Sequence, residues 1–411
     1  MIKNEAVLTR NFTNVYPELI DHIISHGIML DSRAGMTFEV LDFKTTILNP
    51  IERCTGGAGR NINVFFLLAE ALWIWAGRND VEFLKLFNAR MGEYSDNGKT
   101  FNAPYGFRLR HYGHDSNNAF IAEYREEDSR WQAAQFEIDF RPPFQMDQIK
   151  WVLNLLQKDP NTRRAVVSIW NAEFDTKESK DIPCNDLLMF KVREGQLYLT
   201  VANRSNDLHW GLCTNVFQFS FILELMANIL GLEVGHQTHN SQSLHIYKTN
   251  EITGIMQDNI ARQNFGHTNL YDYVNASRMN LDFKTIKTTK WRLQVVDQVV
   301  NEIINDLTAQ SKGHIPRYNP DSPPYFLHIH HILRTYMFYK ACPVGEREEG
   351  KMHAIKMLLE HKNSTPYPVC EDYYLLAINW FAQRLPADKV KQVVGTSNVF
   401  PNFSNEWLGK L

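Results

Sequence analysis

The chain has 411 residues, 44% of them apolar and 22% charged, with a formal net charge of −3. That balance leaves no basic footprint of the kind nucleic-acid binding usually requires, and no acidic low-complexity tract. The length allows two domains, or one domain with a long extension. Five cysteines (Cys54, Cys184, Cys213, Cys342, Cys370) are odd in number and scattered, without a CxxC pair or zinc spacing. They read as free thiols in a reducing compartment. The start, Met1-Ile-Lys-Asn-Glu5, lacks the apolar core of a signal peptide, and no run reaches the roughly 18 apolar residues that would span a bilayer. A cytoplasmic, membrane-free protein is expected.

In chain order, helical spacing of apolar residues predicts a helix over Val15–Ile24, stopped by Gly27. Asp31–Gly35 reads as a polar turn and Thr37–Leu48 as strand. Arg53–Arg60 is glycine-rich but lacks the Gly-Lys-Ser/Thr ending of a P-loop, so it is either a flexible loop or a lid over phosphate or cofactor. Asn63–Ala76 is apolar on nearly all sides and predicts a buried helix, with Glu70 inside it. Gly92–Gly106 reads as loop, Met146–Leu156 as an amphipathic helix, and Arg163-Arg164 as a pair of cations at the mouth of a strand. Asp186–Val192 and Gln196–Ala202 predict a hairpin around Glu194-Gly195. A long buried helix runs from Thr214, its expected N-cap, to Gly231, and Ser243–Tyr247 reads as a strand. Composition changes near residue 285. Amphipathic helices are predicted over Leu293–Leu307, Phe326–Lys340, Lys351–His361 and Tyr373–Gln383. The boundary is placed at Ile286–Thr289, giving domains 1–285 and 286–411.

The chemistry concentrates between Ile182 and Asn215. Cys184 follows a proline and therefore sits on fixed, extended backbone; a nucleophilic thiolate there needs a nearby cation. Arg204 is the natural candidate, with Arg163 and Arg164 behind it. Three guanidinium groups and Ser205 also suit a phosphate dianion. Asn215 can accept and donate through one amide, which matches the N3–H and C4=O edge of uracil; cytosine, with donor and acceptor exchanged, would call for an aspartate. Glu70 in an apolar helix is either a proton relay with a raised pKa or a satisfied core ion pair. His328-Ile-His330-His331 lacks acidic or cysteine partners at ligand spacing and reads as surface or packing histidines rather than metal ligands. No metal site is expected.

The order of these motifs resembles the thymidylate synthase family of folate-dependent pyrimidine C5-modifying enzymes, over roughly residues 15–285. Its phosphate loop looks like Asp31-Ser-Arg33-Ala-Gly35-Met-Thr37, and its buried glutamate helix like Glu70-Ala-Leu-Trp73. Pro104-Tyr105-Gly106, the Arg163-Arg164 pair and Pro183-Cys184 match in turn. Arg204-Ser205-Asn206-Asp207 through Gly211-Leu212 to Asn215, and finally His245-Ile-Tyr247, complete the series. The resemblance implies an α+β fold, a mixed sheet flanked by helices, here with an all-helical C-terminal extension. It implies a homodimer in which Arg163 and Arg164 complete the partner's phosphate site. It also implies 5,10-methylenetetrahydrofolate as co-substrate. Cys184 would add to C6 of a dUMP-type nucleotide, with Tyr105 and Glu70 relaying the C5 proton and Asp207 and Asn185 beside them. Arg33, Arg204, Ser205, Asn215, His245 and Tyr247 would bind the nucleotide; Asp207, Gly211, Trp73 and Met91 would line the folate side.

Departures from the family pattern bear on the last step, where hydride from the folate gives methyl and water gives hydroxymethyl. Arg90-Met91-Gly92-Glu93-Tyr94 stands where family members commonly place a tryptophan that keeps water out. Asn185 replaces the histidine that commonly follows the nucleophile, and some 125 residues replace a short closing tail. A wetter folate pocket favours water, hence a deoxyuridylate hydroxymethylase, many of which are phage-encoded and would work in the host cytoplasm. Thymidylate synthase and a dCMP hydroxymethylase are the alternatives. From other classes, a cysteine hydrolase pairing Cys184 with His209 or His245, and a non-catalytic binding module, are also weighed.

Overall fold

The computed structural model describes residues 5–32, 35–55, 62–114, 146–248, 269–272, 274–279, 281, 283, 288–315, 317, 319, 321–366 and 370–395. The fold is α+β: one mixed eight-stranded sheet flanked by helices, followed by a helical C-terminal region. Strands β1 (Ala6–Thr9), β2 (Ile28–Ser32), β3 (Gly35–Ile47), β4 (Val166–Ser168), β5 (Asn185–Arg193), β6 (Gln196–Asn203), β7 (Asn206–Asp207) and β8 (Glu233–Tyr247) form it. Its path is β1-β3-β8-β6-β5-β4, with β2 on β3 and β7 on β8. Fifteen residues long, β8 is the axis of the sheet: it runs antiparallel to β3 and parallel to both β6 and β7. The sequence reading found only its last third, because Gln237, Thr238, His239, Asn240 and Ser241 break the apolar alternation that marks a strand. Glu194, at φ 51°, and Gly195, at φ 77°, turn the β5–β6 hairpin as expected of a left-handed two-residue loop.

Twelve α-helices are described: α1 (Phe12–His26), α2 (Val64–Trp75), α3 (Val81–Phe87), α4 (Tyr105–Arg110), α5 (Gln148–Lys158), α6 (Ala172–Asp175), α7 (Cys213–Leu230), α8 (Thr289–Ser311), α9 (Pro324–Ala341), α10 (Arg347–Ser364), α11 (Glu371–Ala382) and α12 (Ala387–Val394). Asn11 and Asn63 cap α1 and α2 by accepting from the third backbone N–H beyond them, at 3.1 Å each. The stretch expected as loop, Gly92–Gly106, opens on the end of a 3₁₀ turn over Ala89–Tyr94 and runs at its other end into α4; α3 lies ahead of it. Along β6 the inner side chains Leu197, Leu199 and Val201 are buried against α7, while Tyr198, Thr200 and Ala202 on the other side stay half-buried. The described residues include one helix long and apolar enough to cross a membrane, 208–230, and it lies mostly inside the fold.

The C-terminal helices join the same core. Residues of α2, α5, α7, α8, α9, α10 and α11 form one continuous buried cluster. Phe65 at the start of α2 stacks on Tyr336 of α9 at 4.6 Å and meets Trp380 of α11 edge-on at 5.5 Å. Asp297 of α8 takes a two-point grip from Arg110 of α4, at 2.9 and 2.8 Å, and accepts from the Trp75 indole at 2.9 Å. The boundary expected near 286–289 thus marks a change of composition across which the core continues. The histidines of α9 belong to this packing. His331 stacks on His361 at 3.9 Å, His328 lies edge-on to Tyr374, and His330 bonds Asp306 at 2.8 Å.

Candidate active site

Cys184 stands at the entrance to β5, after the extended Ile182-Pro183 lead-in. Arg204 fixes that lead-in: its backbone N–H donates to the Cys184 carbonyl at 3.1 Å, its Nε to the Pro183 carbonyl at 2.8 Å, and its Nη2 to the Ile182 carbonyl at 3.2 Å. The guanidinium is therefore laid along the backbone that carries the thiol, with an exposed side left over. The Cys184 side chain is only partly accessible. Burial pushes its thiol above the ordinary value; the Arg204 charge opposes this, and the carboxylates of Asp181, Asp186 and Asp207 reinforce it.

Tyr105 reaches the same point from α4. A Cβ on Gly106 would stand 2.1 Å from the Ile74 carbonyl oxygen, so only glycine lets α4 abut the end of α2 this closely. That contact sets Tyr105 beside Cys184 and Asn185. Burial, then the neighbouring Cys184 and Asp181, push the phenol well above its ordinary value. Its ring lies 6.1 Å from that of Phe219 on α7. On α2, Glu70 accepts from Gln218 Nε2 at 2.7 Å. Burial pushes the carboxyl up to about 7, against the pull of that hydrogen bond. Among the described residues no cation pairs with Glu70, so the core ion-pair reading does not hold there.

A chain of amides continues from the nucleophile. Asn203 donates to Asn185, and Asn185 Nδ2 donates to Asn215 Oδ1 at 3.3 Å; all three side chains are buried. Asp207 next caps an irregular turn, Leu208–Leu212, by accepting from the backbone N–H of His209 at 3.0 Å and Trp210 at 3.2 Å. This turn runs directly into α7, so Thr214 is not the N-cap that the sequence suggested; Asp207 takes that role for the whole segment. A single extra residue per turn, the π-type winding, re-aims the chain here. A Cβ on Gly211 would meet Asn206 Oδ1 at 3.4 Å, an ordinary contact. Asp207 also pairs in register with His245 of β8, whose ring meets Tyr247 edge-on at 5.4 Å. Thr37 pairs with Tyr247 across β3 and β8, and Asp31 with Met36 across β2 and β3, which brings these described residues to the same end of the sheet. Ser205 is half-buried beside Arg204.

Other expected residues lie differently. Arg163 and Arg164 are exposed ahead of β4, and among the described residues neither enters an ion pair. Arg33 lies outside the described residues, as does most of the glycine-rich loop. Arg53 from its start is buried in an ion pair with Glu224 of α7, and that pair makes it part of the core. Trp73 is only 4% exposed and its indole N–H is bonded to the Asp80 carbonyl at 3.1 Å, which places it in the wall rather than on an open surface. Met91 packs its partly buried side chain on the core from the 3₁₀ turn. The His209 ring of the hydrolase alternative is occupied by the Tyr16 hydroxyl, at 2.5 Å from Nδ1.

A family model described as thymidylate synthase matches residues 14–304. The chain belongs to the thymidylate synthase family. Among curated relatives, a deoxyuridylate hydroxymethyltransferase of Bacillus phage SP01 is 43% identical over 249 residues, 60% of this chain and 60% of that protein. One of the same name from Pseudomonas phage M6 is 35% identical over 248 residues, 59% of this chain and 62% of the relative. A thymidylate synthase of Symbiobacterium thermophilum is 33% identical over 190 residues, 44% of this chain and 58% of the relative. The matched region thus spans about three fifths of the length of these relatives.

Within this thymidylate synthase-family fold, the sequence reading missed four residues at the site. Asp181 sits beside Tyr105 and Cys184, with its carboxylate on the Ala103 N–H at 2.8 Å and its pKa raised by burial to about 6. Asn203 lies just past the predicted strand Gln196–Ala202, and nothing local signals its bond to Asn185. Trp210, 59% exposed next to Asp207 and Gly211, could have been flagged as an aromatic inside a polar motif. Gln218 looked like one polar residue in a buried helix; its spacing of three from Asn215 was the available signal.

Proposed function

We propose that this chain is a deoxyuridylate hydroxymethyltransferase, converting dUMP to 5-hydroxymethyl-dUMP. The observation that carries the reading is the placement of Tyr105 beside Cys184 and Asn185, with Asn185 hydrogen-bonded to Asn215. A thiol, a phenol and an amide on neighbouring residues support the roles of nucleophile, proton handler and uracil reader. The names of the two phage relatives support the same reading.

In this reading Cys184 bonds to C6 of the pyrimidine, making C5 nucleophilic. Asn215 reads N3–H and C4=O, and His245 with Tyr247 holds the sugar. Arg204, Ser205 and Arg33 hold the phosphate, with Arg163 and Arg164 contributed across a homodimer; their exposure and the half-covered outer side of the sheet suit such a partner. The flat exposed face of Trp210 beside Asp207 and Gly211 suits a fused ring system, so these residues and Met91 would hold 5,10-methylenetetrahydrofolate, with Trp73 in the wall. The folate supplies the one-carbon unit. Tyr105 and Glu70 take the C5 proton, and Glu70 titrates close enough to neutrality to accept and return one. The exposed Arg90 and Tyr94, where the family commonly has a shielding tryptophan, support water as the final reactant.

The test is to supply dUMP or dCMP with methylenetetrahydrofolate, weigh the nucleotide product and identify the folate. Expected are 5-hydroxymethyl-dUMP and tetrahydrofolate, from dUMP alone. dTMP with dihydrofolate would overturn the reading in favour of a thymidylate synthase, and turnover of dCMP would overturn the uracil assignment. A mixed population of Arg164→Ala and Cys184→Ala subunits should regain activity that neither variant has alone.

A further inference from the structure

The amide of Gln218 is fixed at one end and open at the other. Its Nε2 donates to the Leu67 carbonyl at 3.2 Å and to Glu70 Oε2 at 2.7 Å, both on α2. Two oxygen acceptors in front of this atom settle the orientation of the amide, because turned over it would set oxygen against oxygen. Its own oxygen, Oε1, is then buried without a hydrogen-bond partner among the described residues, in a side chain 2% exposed. Buried amide oxygens are rarely left so, and a bound water is the usual partner. Oε1 shares one carbon with Nε2, so it is held next to the Glu70 carboxyl. It also lies three residues from Asn215 on α7, and residues at that spacing share a helix face. An amide oxygen and the carboxylate to which the same amide donates offer two acceptors to one water molecule.

Resting on the hydroxymethyltransferase reading, we infer that Gln218 seats the water that attacks the exocyclic methylene intermediate, holding one O–H while Glu70 takes the proton of the other. The water oxygen bonds to the methylene carbon, and the π pair moves through C5 onto the C4 oxygen. The proton lost from water goes to Glu70, which has by then given up the C5 proton to the departing folate. The pair then returns to re-form the C5–C6 double bond as the C6–S bond breaks, releasing Cys184 as thiolate. No oxidant or reductant is consumed. Gln218 is in this scheme the residue that makes water, rather than any other nucleophile, the acceptor of the methylene group.

The experiment compares the full-length wild type with Gln218→Met and Gln218→Leu, using dUMP tritiated at C5 and methylenetetrahydrofolate, with and without added 2-mercaptoethanol. Tritium release reports the steps before water attacks; hydroxymethyl product reports the attack. Expected is a tenfold or greater fall in hydroxymethyl product per tritium released in both variants, with the missing product recovered as the 2-mercaptoethanol thioether. Equal falls in tritium release and product, leaving their ratio unchanged, would overturn the inference and leave Gln218 a support for Glu70 alone. An unchanged product yield would overturn it as well. Gln218→Met keeps the length and burial of the side chain, so a folding failure of Gln218→Leu alone does not close the test. Formation of dTMP by the wild type would sink the underlying reading itself, a result separate from either variant's.

Discussion

The two sides of α2 are built by different physics. Toward α7 it presents Glu70, hydrogen-bonded to Gln218 and lifted by burial to about 7. Toward the C-terminal helices it presents Phe65, wholly buried among Tyr336, Trp380 and Phe381. On the first side a few directional bonds hold polar groups that gain nothing from being buried. On the second, ring contact supplies stability and no chemistry. The pairing teaches how an unfavourable carboxyl is kept in place: aromatic packing on one face offsets the cost of the polar face, and the C-terminal helices are what supply it.

The contrast can be broken most severely at the nucleophile. Cys184→Ala should lower turnover by on the order of 10³-fold or more, while the unfolding free energy measured by denaturant titration stays within about 1 kcal/mol of wild type. Loss of both together would mean that the half-buried thiol is part of the packing. Phe65→Ala attacks the opposite face. It should cost about 3–5 kcal/mol of unfolding free energy, and a change below about 1 kcal/mol would show the C-terminal helices to be loosely held.

Glu70 gives the next largest effect, and it carries a sign. The folded carboxyl binds its proton up to about 7, against an ordinary 4.5. Its contribution is therefore fully present below that ordinary value and is lost as pH rises through the folded one. Compared with Glu70→Gln, the wild type should lose up to about 3 kcal/mol of stability across that window. Parallel stability curves for the two proteins would refute the raised value. The smallest effect is expected at Arg204. Its charge opposes the upward push on the Cys184 thiol. Arg204→Gln should raise that pKa further and slow alkylation of Cys184 severalfold at mildly alkaline pH. The reaction is best read by mass spectrometry in a Cys342→Ser background, since Cys54, Cys213 and Cys370 are buried. Faster alkylation would reverse the role given to the arginine.

What was legible in the sequence follows from local rules. The β5–β6 hairpin shows in its alternating pattern and left-handed turn pair, α2 and α7 in their apolar runs, and the order of motifs from Glu70 to Tyr247 places the chain in its family. The dimeric partnership of Arg163 and Arg164 remains a proposal, as does the exclusion of metal. Where the sequence reading went astray, tertiary contact had overridden local pattern. Thr214 looked like a cap until Asp207 and a π-type turn took over the end of α7. Trp73, expected on the folate side, has its indole N–H held by Asp80.

By itself the sequence determined which residue types are available and in what order, because apolar periodicity and motif spacing act within a few residues of each other. Only the tertiary structure decided which of them meet. Gly106 lets α4 touch α2, Arg110 and Asp297 tie that junction to a helix some 190 residues later, and Gln218 finds Glu70 across 148 positions of chain. Such pairings depend on how the core closes as a whole, and no local pattern contains that information.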